Sequence, residues 1–397
     1  MNSFGAQFFK GNRERLMESL PNSLIVVAGH VGLQMSADTA YPFRQDSNFW
    51  YLAGINEPGL VLVIDTKKGE TTLLIPEQND YQKEWDGKNE TNDLMQKSGI
   101  KTVCERTDLS RILMEGKKSG LQVCYNAPAT EIVEPYGFYS NPARRLVENE
   151  IKGVEPKPKD IRIDIARLRQ IKQPIEITTL QNAIDITGTT MADVKKRLAD
   201  FKTEKELERA ISAGFFANGA DGHGYEPIVA SGKNAAVLHY NKNVDILHEN
   251  SLVLLDIGAI YLGYSADISR VWAIGQPSDE QRAVYEAVCV LQDKAFSMLG
   301  PGVKIREYQK EMETHAFSAM KKLGYSIDNY PHGFSHFLGI DVHDAGDYKA
   351  ELRCGSVITV EPGLYLGKQN VGVRIEDDIL ITENGIKNLS ELIPRSL

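Results

Sequence analysis

Residues 254–272 read LLDIGAIYLGYSADISRVW, and their interpretation decides how the rest of the chain is understood. Two aspartates, Asp256 and Asp267, bracket a short glycine-containing segment flanked by strand-forming residues. The spacing predicts a β-hairpin with the two carboxylates directly opposed, because the midpoint of the pair falls in the apparent turn near residues 261–263. A second stretch, ITVEPGLYLGKQNVGVRIEDD at residues 358–378, repeats the pattern with Glu361 and Glu376, and its midpoint falls near Lys368 and Gln369. Directly opposed residues have Cβ atoms roughly 5 Å apart, so each pair is placed to face one ion. Four carboxylates gathered that closely repel strongly unless cations sit among them.

Acidic residues in hairpins are usually solvated surface. These four instead have apolar neighbours: Val253, Leu254, Leu255 and Ile257 around Asp256, and Ile358, Val360 and Pro362 around Glu361. Unpaired carboxylates buried there would be costly, which favours a shared purpose. Between the two stretches lies PHGFSHFLGIDVHD, residues 331–344, with His332, His336 and His343. Carboxylates with an imidazole suit a hard or borderline divalent ion, and manganese, iron, cobalt and zinc all qualify. Two such ions about 3.5–4 Å apart share a bridging water or hydroxide, a nucleophile near neutral pH. Metal-assisted hydrolysis is the reaction class this implies. One histidine of the stretch completes the metal shell, and the others can donate to charge developing on a tetrahedral intermediate. His239, in VASGKNAAVLHY, is a weaker candidate, and His30, His223, His248 and His315 read as structural or surface groups. Competing signatures are missing: no HExxH, GxSxG, GxxxxGK[ST] or strand-linked GxGxxG is present.

At 397 residues the chain is long enough for two domains. Its net charge of −9, with no dense Lys/Arg run, argues against a nucleic-acid surface. No apolar run approaches the roughly 20 residues that span a bilayer, and the first residues lack the pattern of a secretory signal. Cys104, Cys124, Cys289 and Cys354 are scattered and read as reduced thiols of a cytoplasmic protein. The sequon Asn89-Glu90-Thr91 is read as chance.

Along the first ~155 residues, helix and strand patterns alternate, as in an α/β domain. A helix is expected over 4–19 and strands at 24–29, 48–54, 60–66, 71–76 and 121–126. The tract GVEPKPKD (153–160) reads as an exposed linker, which divides the chain into domains 1–158 and 159–397. Beyond it, a helix should begin at Gln173-Pro174 and another at Thr203, whose hydroxyl and Glu206 have capping-box spacing. Residues 278–298 and 305–322 are also helix-like, whereas 228–232, 251–258, 356–364 and 373–382 read as strands. The second domain is therefore α+β.

These segments together resemble the proline-specific metallopeptidases of the pita-bread fold, the aminopeptidase P and prolidase family. The carrying residues are IVASGKNAAVLHY, LLDIGAIYLGYSADISRVW, HGFSHFLGIDVHD, TVEPGLY and VRIEDDILIT, in family order, with YPFRQDSNFWYLAGINEPG (41–59) extending the likeness into the first domain. The resemblance implies an α+β fold: a C-terminal pita-bread catalytic domain preceded by a smaller α/β domain. It implies that Asp256, Asp267, His336, Glu361 and Glu376 hold two divalent metal ions, most often Mn²⁺, with Asp267 and Glu376 bridging them. Asp256 would also help hold the substrate's α-amino group, and Glu361 would take a proton from the bridging water. His343 would stabilise the oxyanion, His239 the substrate amide or leaving group, and His332 the proline-side pocket. Arg374 would orient Glu376 or meet substrate. Ser269 and Val271 stand where family members often carry threonine, and Phe334 is bulkier than many residues at its place. The implied activity is that of an Xaa-Pro aminopeptidase acting on peptides with proline second, in a homodimer or homotetramer. An Xaa-Pro dipeptidase shares every ligand, and a catalytically silent binding module shares the fold.

Overall fold

The computed structural model describes residues 4–88, 90–326 and 330–397, so Asn89 of the sequon lies outside the described residues. The chain forms two compact units that divide between Leu168 and Arg169. That division falls past the tract read as a linker, because Lys159–Asp160 pairs parallel with Gln122–Tyr125 and extends the first unit's sheet.

The first unit is built on a mixed six-stranded sheet. In spatial order its strands are Thr102–Glu105, Glu70–Ile75, Val61–Asp65, Ser23–Ala28, Gln122–Tyr125 and Lys159–Asp160. Ser23–Ala28 is buried at all six positions, as its unbroken apolar run requires for an interior strand covered on both faces. One expectation fails here: residues 48–54 are not a strand but belong to the helix Ser47–Ala53. The Asp46 carboxylate accepts from the backbone N–H groups of Asn48 and Phe49, and Gly54 closes the end at φ 69°. Those end signals, with Phe49, Leu52 and Ala53 buried on one side, outweigh the strand preference of the aromatics.

The second unit mixes long helices with small antiparallel sheets. Pro174–Lys196 starts with proline in its first turn behind a Gln173–Glu176 capping box. Glu204–Ala217 is capped by Thr203, but Glu206 accepts from the Lys202 N–H rather than closing the box on Thr203. Asp279–Met298 and Ile305–Lys322 contribute Val284, Val288, Leu291, Met312 and Ala316 to one core with Ile358, Val360 and Ile379. No described helix is long and apolar enough to cross a membrane.

Two hairpins position the acidic residues. In the first, Ser251–Ile257 pairs antiparallel with Ile268–Ile274, and the register sets Asp256 opposite Ser269, not opposite Asp267. The cause is the turn. Tyr261 pairs with Tyr264, so the link is Leu262 and Gly263, both in the left-handed region at φ 48° and 84° as a two-residue hairpin turn demands. The turn sits one residue beyond the midpoint, and the pairing slips by two. Side chains alternate with period two, so the slip keeps both aspartates on one face as diagonal neighbours.

The second hairpin keeps the expected register and breaks its ladder. Val360 pairs with Asp377 below the break and Gly363 with Arg374 above it, which leaves Glu361 and Glu376 opposed at the gap. Their backbone N–H groups turn elsewhere: Glu361 donates to the Phe334 carbonyl at 3.0 Å and Glu376 to the Ser269 carbonyl at 3.1 Å. The gap thereby ties the second hairpin to the histidine stretch on one side and to the first hairpin on the other.

Candidate metal centre

Three side chains converge where these elements meet. Asp267, His336 and Glu376 each offer a ligand atom, and the three atoms lie within 4.8 Å of one another. His336 Nε2 is 3.3 Å from Asp267 Oδ2, 3.6 Å from Glu361 Oε1 and 4.0 Å from Glu376 Oε1. Its Nδ1 lies 3.0 Å from the Phe337 carbonyl, a contact that turns Nε2 toward the carboxylates. Asp256 joins through the Tyr225 hydroxyl, which lies 2.5 Å from Asp256 Oδ1 and 2.6 Å from Asp267 Oδ1, so that its one proton is shared between the two carboxylates.

Further groups fix the carboxylates. Arg374 pairs with Asp256 and donates to Ser269 Oγ and to the Tyr365 hydroxyl, each at 3.0 Å. Ser269 Oγ in turn donates to Glu376 Oε2 at 2.8 Å. Arg374 therefore grips Asp256 directly and reaches Glu376 only through Ser269, which refines the expectation that it orients Glu376. Beneath them, Arg270 holds the Glu376 carbonyl at 2.7 Å and Asp377 at 2.5 Å. His332 Nε2 meets the Tyr365 hydroxyl at 2.8 Å, and its Nδ1 is 3.5 Å from Glu361 Oε2.

Charge balance tests whether these residues suit a metal. Asp256, Asp267 and Glu376 are only 8%, 5% and 2% exposed. Among the described residues, the four carboxylates face one permanent cation, Arg374, and two imidazoles, His336 and His332, that are charged only when protonated. Burial, Asp267 and Glu361 push the Glu376 carboxyl well above the usual carboxylate range. Burial, reinforced by Asp267 and Asp256, lifts Glu361 to about 7 against the pull of His336 and Arg374. Burial weakens His336 as a base, but its hydrogen bond to Asp267 and the charge of Glu361 outweigh that and raise it to about 9. Burial and Arg374 lower His332 to about 4, so its imidazole is neutral near pH 7. A cluster of hard oxygens around one imidazole, with excess negative charge, fits divalent cations.

Of the residues singled out in the sequence, Asp256, Asp267, His336, Glu361, Glu376, His332 and Arg374 are brought together. His343 adjoins them, its ring 4.3 Å from that of His336 and nearly perpendicular to it. His239 stands in an exposed turn and makes no hydrogen bond to the cluster among the described residues. Ser269 bonds the Glu376 carboxylate through its hydroxyl, Val271 is buried in the core, and Phe334 stacks on Tyr330 at 4.2 Å. Tyr225 and Tyr365 carried no local signal, since a single tyrosine beside a strand is unremarkable in sequence. The Tyr225 hydroxyl finds its partners 31 and 42 residues away.

Residues 178–383 match Metallopeptidase family M24, and residues 9–123 match the N-terminal domain of aminopeptidase P. The chain belongs to the M24 metallopeptidases, with a C-terminal pita-bread domain and a smaller α/β domain before it. It is 32% identical to the Xaa-Pro aminopeptidase of Escherichia coli, over 98% of this chain and 96% of that one. The structure of E. coli aminopeptidase P in its low-pH form superposes with a TM-score of 0.85 at 29% identity, covering 99% and 97% of the two chains. Proline aminopeptidase P II from Yersinia pestis gives 0.84 at 27% identity, covering 99% and 98%.

Proposed function

We propose that this chain hydrolyses the bond between an N-terminal residue and a following proline. The observation that carries the reading is the convergence of Asp267, His336 and Glu376, with Glu361 3.6 Å from His336, in a chain so similar to Xaa-Pro aminopeptidases. An Xaa-Pro bond is a tertiary amide with no N–H, so a peptidase that needs that donor handles it poorly. In this reading the unit that begins at Arg169 is the catalytic domain and the unit that ends at Leu168 a separate N-terminal domain.

Asp256, Asp267, His336, Glu361 and Glu376 would hold the divalent ions. When bound, they supply a Lewis acid for the scissile carbonyl and lower the pKa of the attacking water. Glu361, whose Oε1 lies 3.6 Å from His336 Nε2, accepts the proton of that water. Asp256, held by Arg374 and Tyr225, receives the substrate's α-ammonium group. His343 donates to the oxyanion and His239 steadies the amide or leaving group. His332, neutral and tied to Tyr365, lines the proline side. Manganese as the metal, a cytoplasmic location and a homodimeric or homotetrameric assembly complete the proposal.

The test is hydrolysis of Xaa-Pro-Yaa peptides by protein loaded in turn with Mn²⁺, Co²⁺, Fe²⁺ and Zn²⁺. Cleavage after the first residue is expected, and its absence with every metal refutes the reading.

A further inference from the structure

Beside the cluster lies a cavity of about 350 Å³ that shares only His332 with the scheme above. One wall is the helix Ile305–Lys322, which presents Arg306, Lys310 and Glu313 to it. The other wall is Tyr330, His332 and Phe334. The walls are pinned. Gln309 spends its amide on the opposite wall, donating to the Ser335 carbonyl at 2.7 Å and accepting from the Phe334 N–H at 2.5 Å. The Tyr330 hydroxyl donates to the Gly363 carbonyl at 2.8 Å and accepts from the Gly363 N–H at 2.8 Å.

Its two cations are unspent. Arg306 and Lys310 sit one helical turn apart on one face, both exposed, and neither has an ion-pair partner among the described residues. Glu313, one position further along the same face, is likewise unpaired among the described residues and marks the end that repels an anion. His332 belongs to both places: it lines this cavity, and its Nδ1 is 3.5 Å from Glu361. With His332 assigned to the proline side in the proposed reaction, the cavity it lines is the one next along the path of the chain after proline.

We infer that the cavity is a subsite for a substrate carboxylate downstream of proline, recognised by Arg306 and Lys310 over the Tyr330–Phe334 aromatic wall. Its ligand is the C-terminal carboxylate of a short peptide, so the favoured substrates are brief Xaa-Pro-Yaa sequences rather than the termini of long chains. This inference rests on the proposed Xaa-Pro activity. A guanidinium and an ammonium both suit a carboxylate, and the open cavity leaves water to screen them, so the preference is modest.

The experiment compares kcat/KM of metal-loaded enzyme for Ala-Pro-Ala with a free C-terminus, the same peptide as its C-terminal amide, and Ala-Pro-Glu amide. Wild type should favour the free acid over the amide by about three- to tenfold, the difference lying in KM, as two screened charge contacts allow. The Arg306→Gln/Lys310→Gln variant should bring that ratio to about one, whereas Lys322→Gln, at the far end of the helix, should leave it unchanged. Preference for Ala-Pro-Glu amide over Ala-Pro-Ala amide, also lost in the double variant, would support the same carboxylate site with a side chain as the source. Equal rates for all three peptides in wild type, or a preference that survives the double variant, overturn the inference while the Xaa-Pro reading stands. Failure to cleave any of them overturns both.

Discussion

The two hairpins of the candidate metal centre reach one result by different routes. In the first, the ladder runs unbroken through Asp256, and the acidic pair is offset by two residues. In the second, the pair is directly opposed, but the ladder breaks at it so that each glutamate's backbone binds another segment. Convergence of carboxylates therefore depends on which face the side chains occupy and tolerates either register. A slip of one residue would have thrown an aspartate to the opposite face; a slip of two did not.

Removing one carboxylate from each hairpin probes this equivalence most severely. Asp267→Asn and Glu376→Gln should each lower kcat/KM by about a thousandfold, as expected when electrostatic support worth several kcal/mol is lost at a reacting centre. Metal content measured alongside should fall in both. A mild effect for Asp267→Asn beside a severe one for Glu376→Gln would show that the offset pair is not equivalent to the opposed one.

The histidine stretch that bridges the hairpins has its own anchor. Asp344 is buried and pairs with Arg169 and Lys172, while its Oδ1 also accepts from the Asp341 N–H. Asp344→Ala takes from buried Lys172 its carboxylate and from Arg169 one of two, Asp341 remaining at 3.0 Å, and we expect a loss of about 3 kcal/mol in unfolding free energy. Burial alone would raise the Asp344 pKa, but Arg169 and Lys172 outweigh it and hold the carboxyl below its ordinary range. A carboxyl depressed in the folded state contributes its stability above the unfolded pKa of about 4 and loses it as pH falls through the lower folded value. Denaturant midpoints should therefore fall on acidification below about pH 4, and less steeply in Asp344→Asn.

Within the first hairpin, Gly258 faces the Ala266 carbonyl so closely that an added Cβ would overlap it. Gly258→Ala should cost about 1–3 kcal/mol through forced backbone displacement, read as a lower denaturant midpoint. Preserved stability would mean that the slipped register relaxes freely. The smallest effect is expected at Ser269, whose hydroxyl links the first hairpin to Glu376 of the second. Ser269→Ala should lower metal affinity or activity about tenfold, and Ser269→Thr, which keeps the hydroxyl, should retain both.

Much of this was legible in the chain. The helix starts at Gln173-Pro174 and Thr203 follow from end signals that act within four residues. The opposed glutamates follow from simple symmetry about residues 368 and 369. The misread segment, residues 48–54, was decided by Asp46 and Gly54, whose end-capping outweighed an aromatic-rich composition. The register slip came from two left-handed residues at the turn, one of them Leu262, a residue that rarely adopts that conformation.

The residue types themselves pointed to the chemistry: carboxylates with an imidazole, set among apolar strands, suit a divalent cation. Side-chain alternation settled which of them could share a face. Only the tertiary structure decided who holds whom. Arg374 clasps Asp256 from 118 positions away, and Ser269 reaches Glu376 across 107. Such partnerships arise when separate elements pack, and no local pattern encodes them because their geometry exists only once the core has closed.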